Sequence, residues 1–142
     1  MTRHYNASRE PSTTVFMVED SPAIRERLMK LLEAIPVVHV VGYADGAAEA
    51  IDKISRSPPA AIVLDLKLKE GSGLQVLEAV KRRAPGTTVF FFNDTATTEI
   101  RQACLNAGAD HFLDKTNEYQ NVSGILKQLH AARIQGDSSC KC

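Results

Sequence analysis

The sequence predicts an α/β protein in which a parallel β-sheet is covered by helices on both faces. Three observations carry that expectation. β-Rich apolar runs and amphipathic helical stripes alternate five times along 142 residues. The first run, Thr13 to Val18, is continuously apolar after its threonines, the pattern of a strand buried on both sides. Connections are short and marked by Pro or Gly, so successive strands must be joined by right-handed crossover helices.

Residues 1–12 are polar and end in Glu10-Pro11-Ser12, which reads as a leader. A single domain is expected over 13–135, with a flexible tail at 136–142. Thr13 to Val18 is the first strand. Ser21-Pro22 then gives a hydroxyl at the cap and proline at the first helical position. Ile24, Leu28, Leu31, Leu32 and Ile35 form one apolar helix face, which Pro36 ends. Val37 to Tyr43 is the second strand, and Ala47, Ala50, Ile51 and Ile54 mark a helix stopped by Pro58-Pro59. Ala60 to Leu66 is the third strand. Gly71-Ser72-Gly73 leads into a helix with Leu74, Leu77 and Val80 inward. After Ala84-Pro85-Gly86, Thr87 to Phe92 is the fourth strand. Ile100, Ala103, Cys104 and Ala107 align on the next helix, with Gly108 as its C-cap. Ala109 to Leu113 is the fifth strand, and Val122, Ile125, Leu126 and Leu129 lie on a last helix ending near Arg133.

Helices on both faces require the strand order to reverse once. The flavodoxin-like, doubly wound order 2-1-3-4-5 places that reversal between the first and third strands. Ligands bind open α/β sheets at such a point, beyond the C-terminal ends of the strands.

Composition narrows the function classes. Hydrophobic content of 44% and charged content of 24% are ordinary for a soluble globular domain. Lys plus Arg and Asp plus Glu each total 17, so the net charge is zero and no direct nucleic-acid binding is expected. No apolar run approaches the ~20 residues of a membrane span, and no signal-peptide core precedes Thr14. A cytoplasmic protein is expected. The three cysteines do not form a disulfide framework: Cys104 falls in a helix, and Cys140 and Cys142 sit in the tail. The tail thiols could hold a metal or pair between chains, or be incidental.

The chemistry gathers at one edge of the sheet. Glu19 and Asp20 end the first strand, Asp65 ends the third, and Lys115 follows the fifth. Three carboxylates and one ammonium suit a divalent metal with an anion. Alternatives exist for individual residues. Glu19 and Asp20 could merely complement the dipole of the next helix, and Lys115 could be a solvated loop lysine. Asp65 is harder to explain structurally. It follows Ile62, Val63 and Leu64, where an uncompensated carboxylate is expensive, and the next helix starts too late to be capped by it.

The set resembles a response-regulator receiver domain, the phosphoacceptor of two-component signalling, over residues 13 to about 133. The resemblance rests on the acidic pair, the aspartate and the lysine in that order. Gly73, eight residues after Asp65, the Ala107-Gly108-Ala109 stretch, and Phe112, three residues before Lys115, add to it. It implies that Asp65 accepts a phosphoryl group and that Mg²⁺ is held by Glu19, Asp20, Asp65 and the backbone carbonyl of Lys67. It also implies that Lys115 pairs with a phosphoryl oxygen and that Phe112 is the switch aromatic. A carboxylate can attack phosphorus if its charge and that of the phosphoryl oxygens are offset, so positioning and neutralisation carry the reaction.

Four positions depart from the family pattern. Asn93 stands where a Thr or Ser is usual, although its amide can still donate to a phosphoryl oxygen. Asp94 adds negative charge beside it, and Thr95 could substitute as the hydroxyl; Asn93 and Asp94 could instead cap the fourth helix. Thr116 replaces a common proline, so no cis peptide is expected after Lys115. Lys67 places an ammonium beside the phosphoryl position, where it is expected to change phosphoryl lifetime.

Only eight residues follow the fifth helix, from Gln135 to Cys142, so a receiver standing alone, or the N-terminal piece of a longer regulator, is expected. Such a chain would take its phosphoryl group from a histidine kinase or histidine phosphotransfer protein. It would signal through a docking surface of the fourth helix, fifth strand and fifth helix, read by a downstream protein or a second copy. Phe112 and the residues around Ala103 to Ala107 are expected there. It would not be an enzyme beyond transfer to its own aspartate. The competing reading is a pseudo-receiver, an interaction module never phosphorylated, favoured by Asn93 and Asp94. A phosphatase would need a second acid where Lys67 stands, and a nucleotide binder would need a glycine loop where Glu19-Asp20-Ser21-Pro22 stands.

Overall fold

Apolar strands and helical stripes assemble as their alternation requires. The computed structural model describes residues 12–93, 97–114 and 121–140, with side chains as far as residue 134. The strands are β1 (Thr13–Val18), β2 (Val38–Ala44), β3 (Ala61–Leu64), β4 (Thr88–Asn93) and β5 (His111–Asp114). The helices are α1 (Pro22–Glu33), α2 (Ala47–Arg56), α3 (Gly73–Arg83), α4 (Thr98–Asn106) and α5 (Asn121–Cys140). All strand pairs are parallel and the order is β2-β1-β3-β4-β5. This is the flavodoxin-like arrangement, with its reversal between β1 and β3.

Successive strand residues point to opposite faces, and each face has its own core. Val15 and Met17 pack with Leu28, Leu32 and Leu126, from α1 and α5. Phe16 and Val18 pack with Ile54, Leu77 and Val80, from α2 and α3. The Phe90-Phe91-Phe92 run serves both: Phe90 and Phe92 enter the first core and Phe91 the second. Burying each such side chain stabilises the fold by roughly 1.5–3 kcal/mol.

Local signals set the helix starts. The Ser21 hydroxyl accepts from the Ile24 N–H, with Pro22 in the first turn. Ser72 and Gln75 form a reciprocal capping box on α3, and Thr97 accepts from the Ile100 N–H on α4. At the far edge of the sheet, Thr13 Oγ1 hydrogen-bonds His130 Nδ1 at 2.8 Å and accepts from Arg133 at 3.2 Å, tying α5 to the start of β1.

Several boundaries and faces differ from expectation. Leu74 is 36% exposed rather than inward; Gly73, Val76, Leu77 and Val80 face the sheet instead. Gly73 sets that rotation, because only a residue without a Cβ fits against the Asp65 carbonyl. On α4 only Cys104 is buried, while Ala103 and Ala107 lie exposed. Alanines bury too little apolar area to fix which way a short helix turns. β2, β4 and β5 end one residue later than expected, and β3 is shorter, at Ala61–Leu64. α5 continues past Arg133 to Cys140, because Gly136 weakens a helix by only about 1 kcal/mol and no proline follows. Among the described residues no helix is long and apolar enough to cross a membrane.

Candidate functional site

Parallel pairing of β1 with β3 carries their C-terminal ends to the same edge. Val18 pairs with Leu64, and the Asp65 N–H continues the ladder to the Val18 carbonyl at 3.0 Å. Glu19 and Asp65 therefore leave the sheet side by side, with Asp20 in the following turn. One carboxylate oxygen from each of Glu19, Asp20 and Asp65 lies within 4.8 Å of the other two. Glu19 and Asp65 are buried, at 3% and 6% exposure, while Asp20 is partly open to solvent. The expected convergence of these three residues is thus present.

Backbone contacts hold the cluster. The Glu19 N–H donates to the Ala44 carbonyl of β2 at 3.0 Å. The Glu19 carboxylate accepts from the Ser21 N–H at 3.2 Å, folding the turn back on itself. Behind Asp65, the Gly73 N–H donates to the Leu66 carbonyl at 2.8 Å, and α3 begins directly against the Asp65 backbone. The Lys67 side chain is exposed, and the Lys67 backbone forms an isolated antiparallel β-bridge with Ser72. Glu70 clasps the loop to α2: its carbonyl accepts from Ala47 N–H, and its carboxylate accepts from Ala48 N–H at 3.1 Å.

The remaining site residues line up on the next strands. Leu64 pairs with Phe91, so Asn93 ends β4 at the same edge as Asp65, and it is buried. Asn93 pairs in register with Asp114, the residue before Lys115. Lys115, Asp94, Thr95 and Thr116 lie outside the described residues. Phe112, the expected switch aromatic of the docking face, is buried. Its ring packs 6.2 Å from that of Phe91, between centroids. Arg101 of α4 covers it, with its guanidinium carbon 5.1 Å from the ring centroid and Nη1 on the Phe112 carbonyl at 2.8 Å. Phe112 faces the core that holds Phe91 and Cys104, with Ile100 packed against it.

Sequence reasoning missed Arg25 and Tyr43. Arg25 donates to the Glu19 carbonyl at 2.8 Å and stacks over the Tyr43 ring at 4.2 Å. One signal was available. A cation in the first turn opposes the positive end of the helix dipole, so its placement calls for another explanation.

A family model described as the response regulator receiver domain matches residues 15–127. The chain belongs to the response-regulator receiver family. This receiver is 29% identical over 119 residues to the DNA-binding transcriptional activator DevR/DosR of Mycobacterium tuberculosis, covering 84% of this chain and 55% of that one. It is 28% identical to the nitrate/nitrite response regulator NarL of Escherichia coli, covering 89% and 56%. The receiver thus spans little more than half the length of these relatives. Among solved structures, the signal receiver domain assigned to NarL of Mycobacterium tuberculosis matches at TM-score 0.77 and 28% identity, covering 85% of this chain and 98% of that one. The receiver of Thermotoga maritima CheB shares the fold at TM-score 0.71 and 24% identity, covering 85% and 96%.

Proposed function

We propose that this receiver accepts a phosphoryl group on Asp65 from a phosphohistidine donor, a histidine kinase or phosphotransfer protein. The observation that carries the reading is the meeting of three carboxylate oxygens within 4.8 Å at the sheet edge. Hard oxygen donors of this kind fit Mg²⁺, which typically takes one or two carboxylates and keeps waters and phosphate oxygens as further ligands. The partly exposed Asp20 leaves a path for cation and phosphodonor. Glu19, Asp20, Asp65 and the Lys67 carbonyl would hold the ion. When bound, it would offset the charge that Asp65 and the phosphoryl oxygens share.

The chain's own groups supply the rest. An Asp65 carboxylate oxygen attacks phosphorus as the bond to the leaving nitrogen or oxygen breaks and its electron pair departs with the donor. Asn93 donates its amide to a phosphoryl oxygen, and Lys115 pairs its ammonium with another. The resulting shift is read at the face of α4, β5 and α5, by a downstream protein or a second copy. There Arg101 and Phe112 form one packed unit able to rearrange together. The protein acts in the cytoplasm and catalyses only its own modification.

Incubation with acetyl phosphate and Mg²⁺, read by intact mass, tests the reading. The expected result is one added phosphoryl group, lost in Asp65→Asn and in excess EDTA. An unmodified wild type that still binds a partner, equally with Asp65→Asn, would make the chain a pseudo-receiver interaction module.

A further inference from the structure

Glu19 and Asp20 lie beyond the end of β1, where the strand pairing that brings them to the sheet edge leaves their side-chain directions open. What fixes them is a second set of contacts. The Glu19 N–H is held by β2 through the Ala44 carbonyl, and the Glu19 carbonyl is held by Arg25 of α1 at 2.8 Å. That carbonyl shares a rigid peptide plane with the Asp20 nitrogen, so fixing it constrains the direction in which the Asp20 side chain leaves the backbone. Arg25 is itself held in place. Its guanidinium carbon sits 4.2 Å from the centroid of Tyr43, an aromatic 47% exposed on the edge strand. The planar guanidinium stacks on the ring while its fork still reaches the carbonyl, a pairing lysine does not reproduce.

We propose that Arg25, stacked on Tyr43, is the positioning residue that presets the Glu19–Asp20 turn for its divalent cation. The proposal rests on the phosphoacceptor reading above for the identity of the ion. Arg25 acts on the cation in two opposed ways. Its charge repels a divalent ion, and its hydrogen bond aligns the carboxylates that bind one. Mg²⁺ demands near-octahedral geometry, whereas a charge beside a partly solvated site is screened, so alignment outweighs repulsion. The two effects predict opposite signs when the side chain is removed, which makes the proposal decidable.

The test measures Mg²⁺ affinity by calorimetry, and amide hydrogen exchange at Ser21 without metal, in four proteins: wild type, Arg25→Met, Arg25→Lys and Tyr43→Leu. Circular dichroism establishes that each is folded. Arg25→Met is expected to weaken Mg²⁺ binding about tenfold, a loss typical of groups that orient metal ligands. The Ser21 N–H, which donates to the Glu19 carboxylate, is expected to exchange faster. Arg25→Lys and Tyr43→Leu keep the net charge and are expected to weaken binding several-fold as well. Equal or tighter Mg²⁺ binding by Arg25→Met would overturn the positioning role. If wild type binds no Mg²⁺, the metal reading of the pocket fails. Ser21 exchange then decides the positioning claim alone, and equal rates in wild type and Arg25→Met would end it.

Discussion

Gly73 sits where α3 starts against the backbone of the proposed phosphoacceptor, and replacing it with alanine tests that packing. A Cβ there would lie 2.8 Å from Phe91 Cε1 and 3.0 Å from Leu66 Cα, and closer still to the Asp65 carbonyl oxygen. Two of these three neighbours are backbone atoms, which cannot rotate away. Overpacking of this kind costs about 1–3 kcal/mol, and backbone obstacles put the site at the upper end. Alanine returns up to about 1 kcal/mol through its higher helix propensity. The expected net effect is a loss of about 2 kcal/mol, or a fall in Tm of about 6 °C for a domain of this size. Urea unfolding followed by far-ultraviolet circular dichroism measures it. Gly86→Ala is the control, because nothing lies within 4 Å of the added carbon. That variant is expected to match wild type or gain up to about 1 kcal/mol. A Gly73→Ala protein as stable as Gly86→Ala would refute the packing account, since helix propensity alone would then govern both sites.

Other outcomes follow from the same geometry. Removing one negative charge from three carboxylates within 4.8 Å of one another should raise metal-free stability in Asp20→Asn by no more than about 1 kcal/mol, because Asp20 is partly open to solvent and its charge is screened; thermal melts with and without Mg²⁺ should show that it also loses cation-induced stabilisation. Lys67 is exposed beside the proposed phosphoryl position, and Lys67→Asn should change the dephosphorylation rate in a phosphate-release time course; identical rates would remove its proposed role. Burial pushes the Cys104 thiol above its ordinary value of 9.0, so native Cys104 should be alkylated at least about tenfold more slowly than in urea. Because the native state keeps that proton to higher pH, its contribution to stability should be lost as pH rises above 9.0.

Much of this was readable in the chain because the signals were local or enforced by topology. Ser21-Pro22 specifies a helix start through two adjacent residues, and Ser21 does cap α1. The meeting of Glu19, Asp20 and Asp65 follows from parallel pairing of two buried strands, which fixes where both end. What escaped depends on rotation or on distant partners. The face of α3 is turned by Gly73 meeting a backbone carbonyl, which a hydrophobic stripe containing Leu74 does not reveal. The small residues of α4 give no contrast between faces, so the sequence pattern aligns Ala103 and Ala107 with Cys104 although both are exposed. The contact of Arg25 with Tyr43 spans α1 and the edge strand, with a register shift between Val15 and Phe16 in the intervening pairing. No spacing rule encodes such a pair.

The most direct measurement locates the phosphoryl group itself. The receiver is phosphorylated with acetyl phosphate and Mg²⁺, and the acyl phosphate is reduced with borohydride. Peptide sequencing by tandem mass spectrometry then finds the converted residue. Phosphoryl acceptance by Asp65 predicts conversion at position 65 alone; conversion at Asp20, Asp94 or Asp114, or none anywhere, would contradict it.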